Sequence, residues 1–267
     1  MEIKKKSILV LLGLFGILAA LYVYAAQVSQ PQGPDSISVL NSGRYQEKNT
    51  SVTIVAEAGN VTELLINDTR STESWQGYYG NISGTITLDD ASNYTLYSWS
   101  AASPTGEIYA TNISTGIAWA TVKCLNFNGA SSSDTISYQT MNESSLENDY
   151  SINSTDNDGF SETFTQTYTC GGGEAACFKI GQLTVPNATC HMVTTYVDEA
   201  AQTASFKEVL LTDNVTSGLI FAALLEDNVD GFKGGVDAHD FQMLVAENGH
   251  PGFETTTTNY YFYIELA

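Results

Sequence analysis

From residue 37 onward, polar and apolar residues alternate with a period of two, and no other feature limits so strongly what this chain can become. In residues 80–90, Ile82, Ile86 and Leu88 share one face with Gly84, while Asn81, Ser83, Thr85 and Thr87 share the other. Successive side chains of an extended strand point to opposite sides, so this spacing predicts a half-buried antiparallel strand. The alternation returns in residues 51–56, 95–99, 117–124, 162–170, 191–197, 206–211 and 241–245. Strands at this spacing, with no amphipathic helix among them, predict an all-β chain folded as an antiparallel β-sandwich, Ig-like or jelly-roll-like. Residues 219–225, LIFAALL, are apolar on both faces and fit either a central strand or a short buried helix. The chain closes on YYFYIEL, where Tyr261 and Tyr263 alternate with Phe262, Ile264 and Leu266. That segment reads as a strand of the fold, not as a tail.

Ahead of this pattern stands SILVLLGLFGILAALYVYAA, residues 7–26, directly behind Lys4, Lys5 and Lys6. Roughly 20 apolar residues cross a bilayer as a helix, and basic residues stay on the cytoplasmic side. The rest of the chain is therefore expected outside the cell, either anchored by this hydrophobic helix or secreted after cleavage. The run exceeds the usual signal core of about 7–15 residues, yet Val23-Tyr24-Ala25 offers a cleavage site. The expected organisation is a signal peptide or signal anchor over 1–26 and a linker over 27–36 with Pro31, Gly33 and Pro34. A sequon-rich sandwich part follows over 37–122, then a disulfide-bearing part over 123–267.

Charge narrows the partners. The chain of 267 residues carries a net charge of -20 with only 15% charged residues, and Lys4, Lys5 and Lys6 lie at the membrane end. Such a surface repels phosphate backbones, which argues against nucleic acid, and attracts cations or basic partners. Hydrophobic residues at 43% supply a core and argue against disorder.

The four cysteines, Cys124, Cys170, Cys177 and Cys190, are an even set in an exported chain. They predict disulfides, with zinc ligation as the rival; three pairings are open to four cysteines, and the preferred one joins Cys170 to Cys177 around Gly171-Gly172-Gly173 and Cys124 to Cys190. Asn49, Asn60, Asn67, Asn81, Asn93, Asn112, Asn142, Asn153, Asn187 and Asn214 each open an Asn-x-Ser/Thr sequon without proline. Composition alone gives roughly four such matches, so the excess predicts a glycoprotein. No sequon follows Thr216, which makes the C-terminal region the expected contact face.

Two acidic stretches contain hard oxygen donors at short spacing. In EDNVDGFKGGVDAHD, residues 226–240, Glu226, Asn228, Asp230 and Asp237 are the candidate calcium ligands, although Asp stands where a bidentate Glu usually closes an EF-hand. The alternative there is an acidic hairpin without an ion, and Asp237, His239 and Asp240 form a weaker transition-metal set. Asp156, Asp158 and Glu162, in TDNDGFSE, make a lesser calcium case. Trp75, Tyr78 and Tyr79, with Tyr94, Tyr97 and Trp99 downstream, are either a sugar-stacking platform or core aromatics. No G-x-S-x-G, H-E-x-x-H or G-x-x-x-x-G-K motif occurs, and His191, His239 and His250 are the only imidazoles. The expectation is a protein without enzymatic activity, apart from glycosidase chemistry by two convergent acids.

The stretch WQGYYGNISGTITLDD, followed by GEIYAT at Gly106–Thr111 and DFQMLV at 240–245, resembles archaeal surface proteins of unknown function. In plan, one apolar helix followed by a glycosylated β domain, the chain also resembles archaeal pilins. It departs from them at Lys6-Ser7, which lacks the small residue expected before a pilin-type cut. The resemblance supplies no established activity and no catalytic residues; the expected function is that of a non-enzymatic extracellular protein of the archaeal cell envelope, acting in adhesion, envelope structure or filament formation. Its partners would be other surface proteins, copies of itself or cell-surface glycans, with the membrane reached through the N-terminal helix. The alternative is a secreted carbohydrate-binding or carbohydrate-active protein.

Overall fold

The computed structural model describes residues 30–45, 50–100, 105–127, 138–140, 142–153, 155–170, 176–181, 183–187, 190–213, 215–216, 218–235, 237–248 and 257–266. The apolar run at 7–26 lies outside the described residues. Among the described residues no helix is long and apolar enough to cross a membrane.

In chain order the strands are β1 (Trp75–Gly80), β2 (Thr85–Asp89), β3 (Thr95–Ser100), β4 (Gly106–Thr111), β5 (Val122–Asn126), β6 (Tyr138–Thr140), β7 (Gln166–Thr167) and β8 (Ala176–Ile180). They continue as β9 (Leu183–Pro186), β10 (His191–Thr194), β11 (Lys207–Asp213), β12 (Leu219–Leu224), β13 (Val229–Asp230), β14 (Ala238–His239), β15 (Phe241–Ala246) and β16 (Tyr261–Leu266). Two short helices, α1 (Glu143–Asp149) and α2 (Phe160–Thr163), separate β6 from β7. The fold is all-β, and every strand pairing is antiparallel except that of β5 with β6.

The main sheet runs β16-β4-β12-β11-β10-β7, with β5 alongside the far half of β11. Its register explains the core. Leu210, Phe221, Ala110 and Phe262 form one row across four strands, and Val209, Ala222, Tyr109 and Tyr263 form another. The first row enters a cluster with Met243, Val245 and Ala246 of β15 and with Leu146, Tyr150, Phe160 and Phe164 of the helical segment. The second enters a cluster with Phe178, Ile180 and Val185 of the β8–β9 hairpin, together with Trp119, Tyr168 and Met192. Both faces of the central strands are therefore dry, as a doubly apolar segment such as LIFAALL requires, and residues 219–224 are a central strand. The Cys124–Cys190 disulfide expected from the sequence forms, tying β5 to the entrance of β10 beside β11.

Strands from either side of Val122 share sheets, since β1 pairs with β15 and β4 lies between β12 and β16. Several sequence expectations fail. Residues 51–56 form no strand, because an alternating segment becomes one only where another backbone is present to hydrogen-bond it. The strand expected over 80–90 is not half-buried: β2 pairs only with β3, and Ile86 and Leu88 on it are exposed. Residues 162–170 contain the end of α2 and only the two-residue β7, and residues 119–121 form a 3-10 turn before β5. The helix α1 was missed because it starts from a local signal shorter than any apolar period: the Asn142 side chain accepts from the Ser144 N–H at 3.0 Å, and Glu143 sits in the first turn.

Phe221 is fully buried between the rings of Trp75, Phe164 and Tyr260. Phe221→Ala is expected to lower unfolding stability by about 3–5 kcal/mol. Denaturant titration followed by circular dichroism and by tryptophan fluorescence should show both signals shifting together.

Candidate functional site

Residues 226–240 fold back as the β13–β14 hairpin, closed by Glu226 N–H to the Asp240 carbonyl at 2.8 Å and Gly231 N–H to the Asp237 carbonyl at 3.1 Å. Gly231 has to be glycine here, since a Cβ would lie 2.3 Å from His239 Cδ2 and 2.8 Å from the Asp237 carbonyl oxygen. The carboxylates are largely engaged with the protein itself. Glu226 Oε1 accepts from the Phe206 N–H at 3.2 Å, and Asp237 Oδ2 pairs with Lys233 Nζ at 3.4 Å. Asp240 is buried and accepts from the Ile82 N–H at 2.7 Å and the Asn228 N–H at 3.3 Å. Gln242 extends the clamp, accepting from the Phe232 N–H at 3.0 Å while its amide donates to Thr195 Oγ1 and the Tyr196 carbonyl, each at 2.9 Å. Asp230 is exposed, and Asn228 adopts a φ of 52°. His239 is buried against the Tyr79 ring, and burial holds its imidazole below the usual histidine range.

The set Glu226, Asn228, Asp230 and Asp237 thus provides no convergent group of carboxylates. Among the described residues, the one group of three Asp, Glu, His or Cys ligand atoms lying within 4.8 Å of one another is Glu143, Glu147 and Glu162. Only Glu162 of these was singled out from sequence, because the pairing depends on α2 folding back against α1.

The aromatic candidates separate. Trp75 packs edge-on to Phe160 at 5.2 Å, and its Nε1–H donates to the Asp158 carbonyl at 2.7 Å. Tyr78 packs against Phe262 at 5.2 Å in the same cluster. Tyr79 instead faces the acidic hairpin, accepting from Lys233 Nζ at 2.7 Å and packing edge-to-face with Phe232 at 5.1 Å. Tyr97 and Trp99, 4.8 Å apart on β3, remain 58% and 52% exposed.

Among the sequon asparagines, Asn60, Asn67, Asn81, Asn93, Asn112, Asn142 and Asn153 are exposed and Asn187 is half-buried, while Asn49 and Asn214 lie outside the described residues. Cys170 is disulfide-bonded and its N–H donates to Asn187 Oδ1 at 3.1 Å; the Cys177 side chain lies outside the described residues.

Many of the exposed large apolar side chains among the described residues lie in the sequon-rich part of the chain. Val52, Ile54, Val55, Val61, Leu64, Leu65 and Ile66 project from a segment without regular structure, with Leu65 89% and Ile66 80% exposed. On the β2–β3 hairpin, Leu96 and Tyr94 are also exposed.

Buried acids are the functional groups that sequence reasoning missed. Glu107 and Glu265 oppose each other across β4 and β16, and the Gly181 N–H donates to both Glu265 oxygens, at 3.0 and 2.7 Å. Burial, with Glu265 adding repulsion, raises the Glu107 carboxyl to about 8. Glu208 is fully buried between the sheets, where its Oε2 accepts from the Leu244 N–H at 2.7 Å, and burial pushes its pKa well up. No local pattern distinguishes such a glutamate, since strand register alone decides which way it points. Comparison with protein-family models, curated proteins and solved structures finds no match for this chain.

A glutamate in the unfolded chain titrates near about 4.3. Between that value and about 8, folded Glu107 keeps a proton that the unfolded chain has released. Stability is therefore present at acid pH and declines as pH rises through this window, by at most about 1.4 kcal/mol per pH unit per proton. Thermal melts are expected to fall from about pH 5 to about pH 8, and Glu107→Gln should raise the melting temperature at the upper end while leaving the lower end nearly unchanged.

Proposed function

We propose that this chain is a non-enzymatic extracellular surface protein of an archaeal-type cell envelope. Its β-sandwich, tethered by the N-terminal helix or released after cleavage, assembles with copies of itself or with other surface proteins. The observation that carries this reading is the run of exposed apolar side chains between Val52 and Ile66, within which residues 51–56 alternate like a strand but join no strand ladder among the described residues. Large apolar side chains concentrated in one exposed segment are a common mark of an interaction site. Extended backbone with unpaired N–H and C=O groups recruits a sheet edge from a partner, and main-chain hydrogen bonds then provide affinity while alternate side chains provide specificity. Sugars at exposed Asn60 and Asn67 would flank the segment and restrict how a partner approaches.

Light scattering and electron microscopy of the exported chain test the reading. The protein is expected to form oligomers or filaments, and replacing Ile54, Leu65 and Ile66 by Ser should yield monomers with a melting temperature close to that of the parent, since exposed positions contribute little to folding, typically within about 0.5 kcal/mol. A parent chain that is monomeric at all concentrations, or a variant that unfolds instead of dissociating, would contradict it.

A glycan-binding role is the second reading, favoured by the exposed Tyr97–Trp99 pair, whose rings are available to stack on pyranose faces. It expects Trp99→Ala to abolish signals on a glycan array while the fold is retained.

A further inference from the structure

We propose that the outer edge of β16 is the acceptor for a second copy of this chain, whose residues 51–56 add to the main sheet as an extra strand. The inference rests on the self-assembly reading above and names the two surfaces that meet. In the main sheet β16 is the terminal strand, with β4 on one side and a single bridge, Gln32 to Ile264, on the other. The strand at the opposite end, β7, has only two residues. In the bridge the Gln32 N–H donates to the Ile264 carbonyl at 3.0 Å, and the Ile264 N–H donates to the Gln32 carbonyl at 2.7 Å. The edge therefore already accepts extended backbone.

The clasp is short for a reason that lies in the sequence. Backbone groups of successive strand residues turn to opposite sides, so Phe262 and Leu266 present theirs on the same edge as Ile264. No other bridge to that edge occurs among the described residues. Continuing the antiparallel register sets Pro34 opposite Phe262, and proline has no N–H to donate. The arm thus makes two main-chain bonds where an uninterrupted strand on this edge makes about six.

Residues 51–56, SVTIVA, supply what the arm lacks. They contain no proline, alternate in polarity and join no strand ladder among the described residues. Val52 and Ile54, which share one face of an extended segment, are 90% and 59% exposed. The segment matches the six residues of β16 in length. On docking it displaces Gln32 and exchanges two bonds for a longer ladder, so the clasp guards the edge until a partner strand arrives. Each copy carries both a donor segment and an acceptor edge, and the addition can repeat from copy to copy.

The test uses the exported chain, in which no described cysteine is a free thiol, so that an introduced one reports its own contacts. Chains bearing Val52→Cys or Thr53→Cys are mixed with chains bearing Tyr261→Cys, at an exposed position on β16, and oxidised gently. At least one mixture is expected to give a mixed disulfide in at least tenfold excess over the same donors mixed with Leu96→Cys on the β2–β3 hairpin, the competing open edge. Val52→Pro and Thr53→Pro are then compared by light scattering. N–H groups of consecutive residues turn to opposite sides, so one of the two prolines removes a donor from any ladder while Ile54 and Val55 remain. That variant is expected to weaken association at least tenfold with an unchanged melting temperature, and Gln32→Pro, which removes the donor of the clasp, to tighten it at least threefold. A parent that is monomeric at all concentrations ends the self-assembly reading and this inference together. Oligomers that withstand both prolines, are not tightened by Gln32→Pro, or cross-link through Leu96 instead of Tyr261 leave assembly standing and overturn the assignment to β16.

Discussion

The burial of β11 and β12 on both faces is the constraint on which the rest of the structure depends. A strand that is apolar on one side needs one covering layer, whereas Leu219–Leu224 and Lys207–Asp213 present apolar side chains to both sides and need two. The β1–β15 pair and the helical segment cover one face, and the β8–β9 hairpin with Trp119 covers the other. Small residues in the register make this close covering feasible: Ala110 lies between Phe221 and Phe262 in one row, and Ala222 lies between Val209 and Tyr109 in the next.

Within that frame, acidic groups act as internal fasteners. Glu208 reaches from β11 to the N–H of Leu244 on β15, joining two sheets that share no ladder. Asp240 gathers the N–H groups of Ile82 and Asn228, and Glu265 gathers that of Gly181. The acidic groups are therefore not confined to the surface, and burial raises the Glu107 carboxyl to about 8. A protein built in this way is coupled to its ionic surroundings through its core as well as through its exterior.

The proposed surface role draws on the opposite property. Residues 51–56 alternate like a strand but join no strand ladder among the described residues, and β2–β3 stands as an isolated hairpin with apolar side chains in water. A two-stranded hairpin gains little on its own in water, so an added partner strand would stabilise it most.

From the sequence alone came the β class, the antiparallel pattern, the central position of LIFAALL as one of two readings, and the Cys124–Cys190 link. Each rests on local periodicity or on a small set of pairings that chemistry restricts. The half-burial of Trp75 and Tyr78 against the core, the exposure of Ile86 and Leu88, and the direction of Glu107 and Glu208 became visible only in the tertiary structure. Alternation states that a strand has two faces, but which face meets a covering layer depends on residues that are distant in the chain. The same holds for the carboxylates: spacing drew attention to residues 226–240, whereas the convergent group forms where α2 returns to α1, because proximity in space is set by packing and not by separation along the sequence.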